Sequence, residues 1–261
     1  MPHRAVLQLE GADTKPFLQG LITNDIHKLN AETPLYACLL SPQGKYLFDF
    51  FLVQRGDSIL LDVTADRAEA LQKRLTMYKL RSDVRITPRA DLQVYVLNAP
   101  PTAEGIFFPD PRHKALGIRA LLTPEQAAAL PATPRDMAAY DTARIRLGIP
   151  ESGIDLLPEE SFPLHHRMEA LHAVDFNKGC YVGQEVTARS KHRGALRKTL
   201  YVVEAETALP APGTAITLEG KPAGTLHSVQ GNVGLALLEI EKAAHPALRA
   251  GNTPLTAHQP Q

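Results

Sequence analysis

The sequence predicts an α+β protein that ends in a small all-β module, and three observations carry that prediction. In the first half, short apolar runs that read as hairpins are mixed with stretches apolar at helical spacing, without the regular alternation of a parallel βαβ array. After Leu196 the texture changes to short alternating runs broken by Gly and Pro, as in a small barrel or sandwich. At 261 residues and 44% apolar, the chain is long enough to bury one large core or several small ones.

Taken in order, Ala5 to Leu9 reads as a strand ending at Gly11. Asp13 is placed to cap a helix that carries Phe17, Leu18, Leu21 and Ile22 on one side. Leu35–Leu40 and Tyr46–Val53 are apolar runs around the turn-like Ser41-Pro42-Gln43-Gly44, and they predict a hairpin. Ile59–Val63 adds a strand, Asp66–Tyr78 a helix with Ala68, Leu71, Leu75 and Tyr78 inward, and Val84–Thr87 and Leu92–Leu97 two more strands. The prolines of Asn98-Ala99-Pro100-Pro101 and Pro109-Asp110-Pro111 mark a boundary or hinge before a strand over Leu116–Leu122. Thr133 as cap and Pro134 at the first position predict a helix that runs to Gly148. Leu164, Met168 and Leu171 recur at helical spacing. The final module offers strands at Leu200–Val203, Ala215–Leu218, Gly224–Leu226 and Val233–Leu237, with Glu219-Gly220-Lys221-Pro222 as a hairpin turn.

Charge and cysteine content narrow the function. Lys+Arg and Asp+Glu balance at 28 each, so no global basic field advertises nucleic acid or anionic membrane, and any polyanion site is local. The opening meets Glu10 before an apolar segment of signal-peptide length can form, and no later run reaches spanning length. A cytoplasmic protein without membrane contact is expected. There are two cysteines, with no CxxC pair and no zinc-type His/Cys spacing, which argues against a structural metal or a disulfide framework. Cys38 lies in the strand-like Tyr36-Ala37-Cys38-Leu39-Leu40 and reads as an inert core thiol.

Cys180 differs. It stands in Asp175-Phe176-Asn177-Lys178-Gly179-Cys180-Tyr181-Val182-Gly183-Gln184-Glu185-Val186-Thr187-Ala188-Arg189, between two glycines that permit unusual backbone conformations and close approach. Lys178 and Arg189 are positive charges able to favour its thiolate, the form that attacks electrophiles or binds metal. Nucleophile, redox thiol and transient metal ligand all fit, against the plainer reading of a small residue at a tight turn. His165, His166, His172 and His192 flank it, so a cysteine-dependent hydrolase is a further reading. Lys178, Gln184, Glu185 and Arg189 either bind a ligand or tie down the loop around the thiol, and Tyr181 packs beside it. Arg189, Lys191, Arg193, Arg197 and Lys198 form a local basic cluster. It is either a solvated face or a site for the glutamate tail of a folate or for phosphates; without interleaved aromatics it does not read RNA sequence.

The run Lys178-Gly179-Cys180-Tyr181-x-Gly183-Gln184-Glu185 with Ala188-Arg189 resembles the signature of the YgfZ family, relatives of the glycine-cleavage aminomethyltransferase. Leu9-Glu10-Gly11-Ala12-Asp13, Phe17-Leu18-Gln19-Gly20, Thr23-Asn24-Asp25, His192-Arg193-Gly194 and Arg197-Lys198 extend the likeness over most of the chain. The resemblance implies three lobes: a mixed lobe over 1–98, a second over 99–195 carrying the signature and interleaved with the first, and a β-barrel over 196–261. It also implies that Cys180 faces a central cleft. The implied function is an accessory role in assembling or repairing iron–sulfur proteins, with iron–sulfur client enzymes or assembly proteins as partners and tRNA modification affected only through such enzymes. Lys178 and Cys180 would be the functional pair, Cys180 touching a cluster transiently. Gly179, Tyr181, Gln184, Glu185, Arg189, Arg193 and His165 would line a tetrahydrofolate-type site. Two departures bear on this. Aminomethyltransferases carry adjacent aspartates where Gly44-Lys45-Tyr46-Leu47-Phe48-Asp49-Phe50 keeps only Asp49, which counts against aminomethyl transfer, the second functional reading. Phe162-Pro163-Leu164-His165-His166 has His165 where the family commonly has a glutamate, and an imidazole cannot accept the paired donors of a pterin as a carboxylate does. Weak folate binding is therefore expected.

Overall fold

The computed structural model describes residues 1–193 and 196–260, without the side chain of Arg193. Gly194 and that side chain, both in motifs singled out above, lie outside the described residues. The chain divides into two compact units, one of residues 1–43, 47–136 and 170–184, the other of 44–46, 137–169 and 185–261.

The first unit is built on a five-stranded sheet. Its strands are β1 (Arg4–Glu10), β2 (Leu35–Leu40), β3 (Tyr46–Arg55), β4 (Ser58–Thr64) and β5 (Arg85–Pro88), in the spatial order β2-β3-β4-β1-β5. β2 and β3 read as continuous apolar runs and are buried on both faces except at the end of β3, as expected of strands covered from both sides. Leu71 and Leu75 of helix α2 (Ala65–Lys79) close one face, in a core with Leu7, Leu9, Leu61 and Val63. The short helix α1 (Thr14–Gln19) adds Leu18 to that core. A separate antiparallel sheet has the order β6-β8-β7, from β6 (Gln93–Leu97), β7 (Ile106–Pro109) and β8 (Ile118–Leu122), followed by α3 (Pro124–Ala128).

The second unit contains α4 (Met137–Arg146), α5 (Gln184–Arg193) and seven strands: β9 (Lys198–Glu204), β10 (Ala215–Leu218), β11 (Lys221–Gln230), β12 (Val233–Glu239), β13 (Leu248–Ala250), β14 (Thr253–Pro254) and β15 (Thr256–His258), with α6 (Ile240–Ala243) after β12. Their order is β14-β13-β10-β11-β12-β9-β15. The two ends of that order are one stretch of chain. β14 pairs with β13 and β15 with β9, and Leu255 between them points into the core. One extended segment thus nearly closes the sheet into a barrel and leaves little free edge. Glu219 and Gly220 turn the β10–β11 hairpin with φ of 51° and 79°, the paired positive values of a tight hairpin turn.

Several elements differ from the sequence expectation. Asp13 does not cap α1; its carboxylate accepts from the Asp83 N–H at 2.8 Å. The helix predicted from Thr133 starts at Met137, because the Arg135 N–H is drawn to the Val96 carbonyl of β6 at 2.7 Å. Gly148 still ends that region, at φ 67°. The helical spacing of Leu164, Met168 and Leu171 yields only a 3₁₀ turn over Pro163–His166, since Arg167 takes φ 60° and breaks the repeat. All three apolar side chains are buried nonetheless.

Candidate functional site

The loop 175–184 is held by the segment that follows α1. Lys178 reaches back across it, and its ammonium donates to the carbonyls of Gln19 at 2.8 Å and Ile22 at 2.5 Å. The same ammonium lies 4.9 Å from the centre of the buried Tyr181 ring, a cation–π contact. Burial brings Lys178 down to a pKa of about 8, opposed by the charges of Asp25 and Asp175. The Val182 N–H donates to the Gly20 carbonyl, and the Asp175 N–H to the Thr23 carbonyl. Asp175 also pairs with Lys28 at 2.5 Å.

Thr23 and Asn24 complete this anchoring. The Thr23 hydroxyl donates to the Ala173 carbonyl at 2.5 Å and accepts from the Cys38 N–H at 2.8 Å. The Asn24 amide donates to the carbonyls of Tyr36 and His172 at 2.9 and 2.7 Å. These buried side chains thus fix the approach to the signature against strand β2. Sequence reasoning met both only as motif letters, although a Thr-Asn pair directly after an apolar helix is a signal for polar groups that satisfy buried backbone.

The thiol itself is exposed. A Cβ built on Gly179 meets nothing within 4 Å, so the space beside Cys180 is open. This corrects the expectation for that glycine, which is neither at positive φ nor closely approached. Gly183 does need to be glycine, at φ 84°. Gln184, at the start of α5, accepts from the Tyr181 N–H through Oε1 at 3.3 Å. Cys38 is fully buried, and desolvation followed by the charge of Asp49 pushes its thiol well up, the environment of an unreactive cysteine.

The two cations expected to favour a Cys180 thiolate are both engaged elsewhere. Lys178 holds two carbonyls, and Arg189 pairs with Glu185 at 2.8 Å in an exposed i,i+4 contact on α5. Lys191 of the basic cluster likewise pairs with Glu169 at 2.7 Å. Arg197 and Lys198 are exposed. His172, the nearest histidine in the sequence, is exposed and lends only its carbonyl, to Asn24.

In the second unit, His165 is half-buried with its ring edge-on to Phe162 at 5.6 Å. Burial, then the charge of Lys198, lowers its pKa, so near neutral pH it is an uncharged imidazole with one donor and one acceptor. Asp49, in the first unit, is buried and accepts from the Tyr36 hydroxyl at 2.8 Å. Its neighbour Phe48 lies under the Arg67 guanidinium at 4.8 Å, an apolar partner where a second carboxylate would have been needed for the transferase pattern.

A mixed sheet-and-helix body followed by a nearly closed barrel is the fold of the aminomethyltransferases. The glycine cleavage system aminomethyltransferase T of Bartonella henselae superposes with a TM-score of 0.74 over 98% of this chain and 83% of that one, at 16% identity. Residues 197–261 match the family model of the CAF17 C-terminal β-barrel domain. Within that fold the sequence is similar to the mitochondrial iron–sulfur cluster assembly factor IBA57 of Mus musculus, 36% identical over 93% of this chain and 77% of the mouse protein. The human protein is 36% identical over the same shares, and the Mycosarcoma maydis homologue is 30% identical over 99% of this chain and 77% of its own. The chain belongs to the YgfZ/CAF17/IBA57 family.

Proposed function

We propose that this protein is an accessory factor in iron–sulfur cluster assembly or repair, with the Cys180 thiol as its working group. The observation that carries the reading is the contrast between its two thiols: Cys38 is sealed in strand β2, while Cys180 is exposed on a loop pinned by Lys178, Thr23 and Asn24. The relatives named as assembly factors support it. Among the described residues no cluster of three or more His, Cys, Asp or Glu could hold a metal ion. An iron–sulfur cluster takes about four protein ligands, mostly thiolates. A cluster touching Cys180 is therefore cargo, its remaining ligands coming from a client enzyme or an assembly protein. tRNA modification would be affected only through such enzymes.

Tetrahydrofolate enters this reading as a weak ligand. Neutral His165 does not offer the paired acceptors a pterin needs, and two of the five cations proposed for a glutamate tail are already paired with Glu185 and Glu169. Aminomethyl transfer is not favoured, since Asp49 is occupied by Tyr36 and Phe48 is apolar. The setting we propose is a reducing compartment, as free thiols require; among the described residues no helix is long and apolar enough to cross a membrane.

The test is complementation of cells lacking the protein, read as the activity of their iron–sulfur enzymes. Cys180→Ala should fold and melt like wild type, because its side chain is exposed, yet fail to restore those activities. Cys38→Ala should restore them at a stability cost of about 1 kcal/mol. Full rescue by Cys180→Ala overturns the role given to the thiol.

A further inference from the structure

The C-terminal end of α2 carries a surface that nothing in the Cys180 site explains. Among the described residues, four large apolar side chains are exposed, and two of them, Met77 at 73% and Leu80 at 86%, stand three residues apart here. Arg74 and Met77 are i, i+3 neighbours on α2, and Leu80 is the residue directly after the helix. Leu80 is also in a backbone state that disfavours it. The Ser82 N–H donates to the Lys79 carbonyl at 2.7 Å, and Leu80 sits at the first central position with φ 45° and ψ −106°. That is a type II′ turn, whose first central position belongs to glycine. A strained leucine that buries nothing in its own chain contributes neither packing nor turn geometry, so its side chain is free to serve a contact elsewhere.

The surroundings are basic. Between residues 69 and 85 there are five Lys or Arg against two acidic residues, in a chain whose total charge is balanced. Lys73 is paired with Glu69, and Lys79 donates to the Val84 carbonyl. Arg74 and Arg81, which flank the apolar pair, have no ion pair or side-chain hydrogen bond among the described residues. A recess of about 720 Å³ lies alongside, lined by Lys79 and by Arg85 but also by Asp83 and by Glu10, which pairs with Arg85 at 2.5 Å, so the unpaired positive charge of this region lies on Arg74 and Arg81.

We infer that the α2 end is a docking surface for an acidic face of a second, different protein, into which Met77 and Leu80 insert as apolar knobs while Arg74 and Arg81 meet carboxylates. Charge complementarity selects this occupant. A symmetric dimer through the same face would bring two copies of one surface carrying the unpaired Arg74 and Arg81 together, at a repulsive cost. A membrane surface is a poorer fit because the patch has no exposed aromatic anchor. Single-stranded nucleic acid would need stacking platforms that are absent for the same reason. The proposal goes beyond the reading of Cys180 and does not depend on it.

A photo-crosslinking phenylalanine analogue in place of Met77, in the full-length chain in cells, tests the surface, with the same analogue in place of the exposed Asp57 in the β3–β4 turn as control. The expected product is a heterologous adduct whose crosslinked segment, sequenced by mass spectrometry, is acidic. Its yield should fall about tenfold when Arg74→Glu and Arg81→Glu are introduced together, as loss of complementary charge requires. Leu80→Gly should lose the adduct as well, while melting no lower than wild type. An adduct with a second copy, with lipid or with RNA overturns the proposal. So does a yield no higher than from position 57, or one indifferent to the charge reversal. A Leu80→Gly variant that melts lower than wild type also overturns it, because the leucine would then be there for the fold.

Discussion

At the scale of single residues, Lys178 shows how a signature position can serve the backbone before it serves chemistry. Its ammonium is held by the carbonyls of Gln19 and Ile22 and by the Tyr181 ring, with burial lowering its pKa to about 8. Its folded pKa therefore lies below its unfolded value of about 10.4, so the cost of burying the charged form is present below pH 8 and fades as pH rises between the two. In a pH series of amine acylation read residue by residue, Lys178 should reach half its limiting rate near pH 8, well before lysines with the ordinary value of about 10.4. Reaction in step with those lysines would show that the tether is not formed. The sequence identified Lys178 and Cys180 as the residues to watch, but left open whether the lysine binds a ligand or ties down the loop. Only the carbonyls of a segment more than a hundred residues earlier favour the second.

At the scale of elements, the 3₁₀ turn Pro163–His166 is where acid should act first. His166 is 2% exposed; its Nδ1 donates to the Phe162 carbonyl at 3.1 Å, while its buried Nε2 has no hydrogen-bond partner among the described residues. Burial lowers its pKa to about 4, with the Phe162 carbonyl opposing the shift and His227, whose ring centre is 6.4 Å away, adding to it. The folded pKa lies below the ordinary 6.5, so the unfolded state binds the extra proton between these values. Stability from this group is complete above pH 6.5 and falls as pH drops toward 4, by up to about 3 kcal/mol. Denaturant melts of wild type and His166→Phe from pH 7 to pH 4 check this: the variant should lose less stability than wild type, and parallel curves would refute it. The barrel strands after Leu196 were legible because alternation has a period of two. The left-handed Arg167 that breaks the 164–171 helix carried no local signal, being neither Gly nor Asn.

At the scale of the whole molecule, the balanced charge count hides an uneven distribution. In the first unit, Asp62 of β4 is fully buried between Arg4 of β1, at 2.7 Å, and Arg119 of β8, at 2.6 Å. Asp110 and Arg112 form a second buried pair at 2.8 Å, and the guanidiniums of Arg119 and Arg112 lie 4.0 and 4.7 Å from the Phe51 ring centre. This network joins the five-stranded and three-stranded sheets. Burial pushes the Asp62 carboxyl up, and the two guanidiniums outweigh it and hold the pKa below the usual range. Asp62→Asn should therefore cost about 3–5 kcal/mol, because two buried cations lose their counter-charge. Chemical denaturation at pH 7 measures it, and a loss below 1 kcal/mol would mean that water reaches the pair.

The sequence by itself determined the α+β class, the all-β C-terminal module, the inert Cys38, the outstanding Cys180 and the family, because periodicity, turn residues and a contiguous motif are local properties of a chain. Tertiary structure alone decided what the polar residues do. It turned Lys178, Thr23 and Asn24 into anchors, occupied Asp49 with Tyr36 and sealed Asp62 between two arginines. Each of these outcomes rests on a hydrogen bond, an ion pair or a desolvation set by which groups meet in space. For a buried polar group the available partner fixes its energy, and most of these partners come from distant parts of the chain.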